Sequence, residues 1–426
     1  MRSVLTHAIH DSARSLVLIV AGMLALGLGL GVSLGIASVF ASHDDPDTIH
    51  ACVNTHSGQT KILAPGDPPD CATGVILVEW KSATGMDALT SRVNALEARL
   101  AELECIQSQT GANSDVDDIV FTGCNVHVQN GAGATDTSNS TGNLIVGYNE
   151  ATPGGSDRSG SHNLVVGPWH GYSSFGGFVA GVRNTISGAN ATVSGGFSNV
   201  ASGERSSVSG GVQNDASGLD SNVSGGNLNV ASGDFSSVSG GTFNVASGER
   251  AVVSGGDSNL ASGGGASVSG GVGNEASGIH SSVSGGGAND ASGIQSSVSG
   301  GRDNEAFGQQ SSVSGGTQNQ AAGLASSVSG GTSNAASSDG SSVGGGSLNV
   351  AGGPDSSVSG GSRNLASGID STVSGGSRNV ANGDRASVSG GNENHAGGIA
   401  STVSGGHNRF VGGLHDWAGG GLSEDF

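Results

Sequence analysis

The chain has 426 residues, of which 80 are glycine, while aromatic residues make up 4% and charged residues 12%. Such a composition supplies too few large apolar side chains for ordinary globular cores and leaves repeats or disorder for most of the length. Lys and Arg total 15 against 35 Asp and Glu, a formal net charge of −20, which repels phosphates and excludes a basic-groove nucleic-acid binder.

Residues 16–41 carry no charge, lie behind Arg2 and Arg14, and precede the acidic Ser42-His43-Asp44-Asp45. Basic residues ahead of an apolar run place its C-terminal side outside. The run exceeds a signal-peptide core and is long enough to span a bilayer, yet Val39-Phe40-Ala41 offers a small-residue cleavage site. Residues 1–41 are therefore expected to serve as a signal peptide or a membrane anchor, and the product to be secreted or held at the cell surface. Gly27, Gly31 and Gly35, four apart, would suit close helix packing in a retained anchor. Export carries Cys52, Cys71, Cys105 and Cys124 into an oxidising compartment, where disulfides are the default. Three pairings are possible, and the sequential one, Cys52 with Cys71 and Cys105 with Cys124, closes two equal short loops. No CxxC is present to favour zinc.

Residues 42–85 hold two apolar, partly alternating runs, 49–53 and 75–78, around Ser57-Gly58 and Pro65-Gly66-Asp67-Pro68-Pro69. They read as a small β module closed by a disulfide, because the apolar residues alone are too few for a core. Over 86–105 the period changes to seven: Met86, Val93 and Leu100 fill one core register and Leu89, Leu96 and Leu103 the other, as in a coiled coil. Arg92-Val93-Asn94-Ala95-Leu96-Glu97 and Arg99-Leu100-Ala101-Glu102-Leu103-Glu104 both resemble the Arg-h-x-x-h-Glu signature of short parallel three-stranded coils. There the arginine covers the core with its methylenes and bonds a glutamate of a neighbouring chain. A homotrimer is the expectation.

Residues 106–183 read as an irregular start of a solenoid and 184–426 as its regular part. Val193, Val208, Val223 and their successors to Val403 recur every fifteen residues, nearly always as Val-Ser-Gly-Gly, and Asn199, Asn214, Ala201 and Ala216 begin parallel series. One fixed period over so long a stretch means stacked units, and disorder has no reason to keep it. Fifteen residues with a recurring β-branched position suit one coil of an all-β, parallel β-solenoid with two short strands per coil. Alternation from Val208 puts Ser206 and Gly210 inside and Ser207 and Ser209 outside, with Ala216 on the inner face of the second strand. Pairs such as Glu204-Arg205 and Leu219-Asp220 fall at one turn and Val212-Gln213 at the other. One valine and one alanine per coil return little against the backbone entropy of ordering it, so hydrogen-bond ladders, stacked Asn side chains and neighbouring chains must supply the rest.

The repeat resembles the YadA-like head (Hep/Hag) repeat of trimeric autotransporter adhesins. Ser207-Val208-Ser209-Gly210-Gly211 matches the first part of that pattern and Asn214, Ala216 and Gly218 the second. Gly142-Asn143-Leu144-Ile145-Val146-Gly147 and Ser161-His162-Asn163-Leu164-Val165-Val166-Gly167 resemble irregular first coils of the same kind. The resemblance implies a left-handed roll, three chains side by side and a role in attachment to a host or surface ligand. Two departures stand out: Gly210 replaces the family's bulky apolar residue, and residues 412–426 lack the alternating strands of an outer-membrane anchor barrel.

No catalytic, cofactor or metal site is expected. Gly340-Ser341-Ser342-Val343-Gly344 fits the GxSxG pattern of hydrolases, but it arises in a degenerate repeat with no strand-turn-helix context. The twelve histidines are scattered and none forms HExxH. The expected function is a non-catalytic adhesive or structural trimeric fibre. The alternatives are an ice-binding surface, built on the outward Ser207 and Ser209 ladders, and a phage-like receptor-binding fibre.

Overall fold

The computed structural model describes residues 48–54, 56–57, 59–62, 71–73, 75–81, 83–101, 106–110, 117–419 and 422–424. The charge-free run at 16–41 lies outside them, as do Leu103 and Cys105. Among the described residues no helix is long and apolar enough to cross a membrane. The chain divides into two units, Met1–Val126 and His127–Phe426.

In the first unit, β1 (Thr48–Asn54) pairs antiparallel with β2 (Thr60–Ile62) on one side and β3 (Val75–Lys81) on the other. A disulfide joins Cys52 to Cys71, with the Cα atoms 5.6 Å apart, and Cys124 is disulfide-bonded as well. Helix α1 (Ala83–Ala101) follows; Leu89, Val93 and Leu96, at alternating three- and four-residue spacing, are all exposed along it. Residues expected to open the solenoid instead make an antiparallel pair, β4 (Ile106–Thr110) with β5 (Asp117–Phe121). The short connection between them favours that local antiparallel pairing over a parallel one, which needs a longer crossover.

The second unit is a parallel β-solenoid. Its stacking begins with β6 (Leu144–Val146) on β7 (Leu164–Val166), then β8 (Gly171–Tyr172) and β9 (Phe178–Ala180) found the two strand columns. From there about 17 coils follow in strict register: Val193 lies on Val208 and Val208 on Val223, while Ala201 lies on Ala216 and Ala216 on Ala231. Single-residue bridges form a third ladder, from Val182 through Phe197 and Val212 to His407. The C-terminal end is closed by an antiparallel return of Leu422–Glu424 onto Trp417–Gly419.

Each coil makes most of its stabilising contacts through the backbone. In the coil around Val208, the amides of Ser207, Ser209, Val212, Asp215 and Ser217 donate to the next coil at 2.8 to 3.0 Å. Those of Gln213 and Asp220 donate to the previous coil, at 3.0 and 2.9 Å. These two residues have φ of 55° and 53°, and the left-handed backbone is what reverses their amides. The same two positions are left-handed in coil after coil whatever the side chain, costing about 1 kcal/mol or more each in non-glycine residues. Gly211 is left-handed too, and a Cβ there would sit 2.2 Å from the carbonyl oxygen of Gly226; at Gly218 it would sit 2.0 Å from that of Gly233. Gly210 is different: alternation places it inside, but it is half-exposed with open space around it, because the strand ends at Val208 and the chain is already turning.

Candidate functional site

The interior of the solenoid is filled and offers no chemistry of its own. Val193, Val208, Val223, Ala201, Ala216, Asn199 and Asn214 are all fully buried. The Asn column is a continuous hydrogen-bonded file: the Oδ1 of each Asn from Asn184 to Asn394 accepts the backbone amide fifteen residues on, at 2.8 to 3.1 Å. Each Nδ2 donates to glycine carbonyls, as Asn214 does to Gly210 at 2.9 Å and Gly226 at 3.0 Å. A shorter side chain could not reach both coils, which is why the residue repeats. His170 heads the file, its Nδ1 3.2 Å from the amide of Asn184, a role the fifteen-residue count does not reveal. A fourth inner column holds Ser206 and its equivalents, with alanine in place of serine at Ala191, Ala251, Ala266 and Ala386. Most of its serine hydroxyls, including those of Ser206, Ser281 and Ser296, have no hydrogen-bond partner.

The candidate site is therefore the outer surface, and its two strand faces differ. The first-strand face carries Ser207 and Ser209 and their repeats, an almost unbroken polar pair of columns. The second-strand face is set by the residue before each buried alanine. There Val230, Val245 and Leu260 are half-buried, then Glu275, Asp290 and Glu305 stack in adjacent register, then Val350, Leu365 and Val380 follow. Burial pushes the Asp290 carboxyl above its ordinary range, Glu275 and Glu305 push the same way, and the Ser292 hydrogen bond opposes them. Burial also raises Asp215 in the same column. At the turns, Arg205 holds Asp220 of the next coil through two bonds of 2.7 Å, which lowers the aspartate and raises the arginine.

The sequence motifs with chemical potential stay apart. Ser342, the central serine of the GxSxG match, lies on the strand Ser342–Val343 in the outer serine column, and the Ser341 hydroxyl donates to the Ser338 carbonyl. His395 bonds Asn382 at 2.7 Å and packs edge-on to Phe410. Among the described residues no three His, Cys, Asp or Glu side chains come together as a metal site. Compared with known proteins, the chain matches no family model and no curated sequence.

Proposed function

We propose that this protein is an exported, non-catalytic fibre, secreted or held at the cell surface, whose solenoid is an adhesive or structural rod. The observation that carries this reading is the division of labour within each coil. Inner positions are fixed as Val, Asn, Ala and small residues and the first-strand outer columns stay mostly serine, whereas the column before each buried alanine and the turns change along the length. Such a construction spends its invariance on a long regular scaffold and its variation on a surface, which suits a binder of extended partners. The likeness to the Hep/Hag head repeat supports the same reading, and with it a left-handed coil and attachment to a host or surface ligand.

Three copies are joined through α1. The exposed Leu89, Val93 and Leu96 give the helix an apolar seam with no partner along its own described length, and the two Arg-h-x-x-h-Glu segments select a parallel trimer. Sedimentation of the full chain in reducing and non-reducing buffer tests this: a trimer in both is expected, and a monomer in both overturns it. A second reading rests on the first-strand face, where outward Ser207 and Ser209 repeat once per coil as a regular polar lattice. Thermal hysteresis in the purified protein would favour an ice-binding surface over an adhesive one.

A further inference from the structure

The adhesive reading leaves the ligand unnamed, and the second-strand face carries information about it. The column before the buried alanines reads Val230, Val245, Leu260, then Glu275, Asp290, Glu305, Gln320, then Ala335, Val350, Leu365, Val380. It is close to symmetric about Glu305: apolar residues flank a polar centre at equal distances in both directions. An interface that a molecule makes with its own copy through a two-fold axis requires that property, since residue i must suit residue j and j must suit i.

Charge decides the orientation. If two copies met on this face parallel and in register, Glu275, Asp290 and Glu305 would each lie against its own copy, three like pairs in a partly desolvated contact. Turned antiparallel about Glu305, Glu275 faces Ala335 and Asp290 faces Gln320, while Val245 faces Leu365 and Leu260 faces Val350. Glu305 alone then meets itself, and beside it stands Phe307, 44% exposed, at the centre where an aromatic anchor is worth most. The stretch from Val230 to Val380 is about 50 Å long at roughly 4.8 Å per coil and about 14 Å wide over three alternate columns, giving about 700 Å² per copy. That approaches the roughly 800 Å² per partner of a stable interface. On the second-strand face serine fills only a flanking column, as at Ser232, Ser247 and Ser292, whereas the first-strand face carries it in both outer columns and has no comparable apolar file.

We propose that the ligand of the rod is a second copy of this chain, docked antiparallel along the Val230 to Val380 column about a two-fold axis at Glu305. Rods projecting from two opposed surfaces meet in that orientation, so the contact is a self-adhesive one; it rests on the adhesive reading of the fibre.

Cysteine cross-linking of the full chain tests it. Val245→Cys and Leu365→Cys are prepared and assembled separately, then mixed under mild oxidation, with Ser239→Cys on the serine face as control. The expected result is a cross-linked dimer in the Val245→Cys and Leu365→Cys mixture, with none from either alone or from the control. Cross-linking of Val245→Cys with itself would overturn the antiparallel arrangement in favour of a parallel one. No cross-link in any mixture, with the circular dichroism of each variant unchanged, would overturn the contact. The mass of each unmixed sample separates the two readings: steps of three copies mean that α1 joins a trimer whether or not trimers then dock in pairs, and a plain dimer of chains means that the docked contact forms without it.

Discussion

The two units of the chain are held by different means. In the first, Ala51 and Cys52 are the buried apolar side chains among the described residues, Ile76 and Leu77 remain exposed, and a disulfide ties β1 to the segment before β3. In the solenoid, a file of asparagines and a backbone ladder pass through every coil, with a valine and an alanine buried in each. The first unit leans on covalent links, Cys52 to Cys71 and that of Cys124; the second spreads its stability over repeated hydrogen bonds, so damage to one coil is shared by its neighbours.

The largest effect is expected where a solenoid coil loses its asparagine. Asn289→Ala removes donors to the carbonyls of Gly285 and Gly301 and the acceptor for the amide of Asn304; the Gly301 carbonyl keeps the Gly287 amide, but the buried Asn304 amide and the half-buried Gly285 carbonyl lose their partner inside a packed file. A loss of about 4 kcal/mol in chemical denaturation is expected, with amide exchange accelerated around residues 274–304. Cys71→Ser should come next: opening the loop costs about 3 kcal/mol, enough to erase amide protection in β1 to β3 while the solenoid amides keep theirs. Loss of protection in both units together would break the contrast drawn above. A pair of glycine variants sharpens it within one coil. Gly218→Ala drives a Cβ to 2.0 Å from a carbonyl oxygen and should cost about 2 kcal/mol, whereas Gly210→Ala meets nothing within 4 Å and should be near neutral by thermal melting.

Much of the solenoid is legible from its period alone. Fifteen-residue recurrence of Val208, Asn214 and Ala216 gives the coil length, the two strand columns and the buried file, because a stacked fold cannot vary a residue that touches its own image above and below. The third ladder at Val212 is not legible, since a single bridging residue leaves no constraint on the side chain: Phe197, Val212, Asn227 and Thr242 all serve. Alternation fails at Gly210 for a related reason: it assumes a strand continues, and here it stops after two residues. The acidic block at Glu275, Asp290 and Glu305 is visible in the letters only once the column it belongs to is known. In the first unit, β4 and β5 carry no repeat, and without the fifteen-residue period the letters do not tell an antiparallel pair from the opening rungs of a solenoid.

A smaller effect concerns pH and follows from Asp290. Its carboxyl is raised by burial, so the folded chain holds that proton more tightly than the unfolded one. The stabilising contribution is full below the ordinary aspartate value and is lost as pH rises through the raised value, so this site favours the fold on mild acidification. Asp290→Asn should accordingly be more stable than the parent at neutral pH and show less gain on acidification, measured as the melting temperature of both proteins across that window. Equal pH slopes for variant and parent would overturn the assignment of this dependence to Asp290.

The smallest expected effect tests whether the interior depends on its polar atoms uniformly. The Ser281 hydroxyl is buried without a partner, whereas Asn274 and Asn289 in the adjoining file are fully bonded, and Ala266 already occupies the same column one coil earlier. Removing an unpaired buried hydroxyl relieves a desolvation cost and opens a void no larger than one atom, and the two terms nearly cancel. Ser281→Ala should therefore change stability by no more than about 0.5 kcal/mol, against about 4 kcal/mol for Asn289→Ala. A loss well above 1 kcal/mol in the serine variant would show that this hydroxyl is bonded in solution, and the inner ladder would then consist of two polar files.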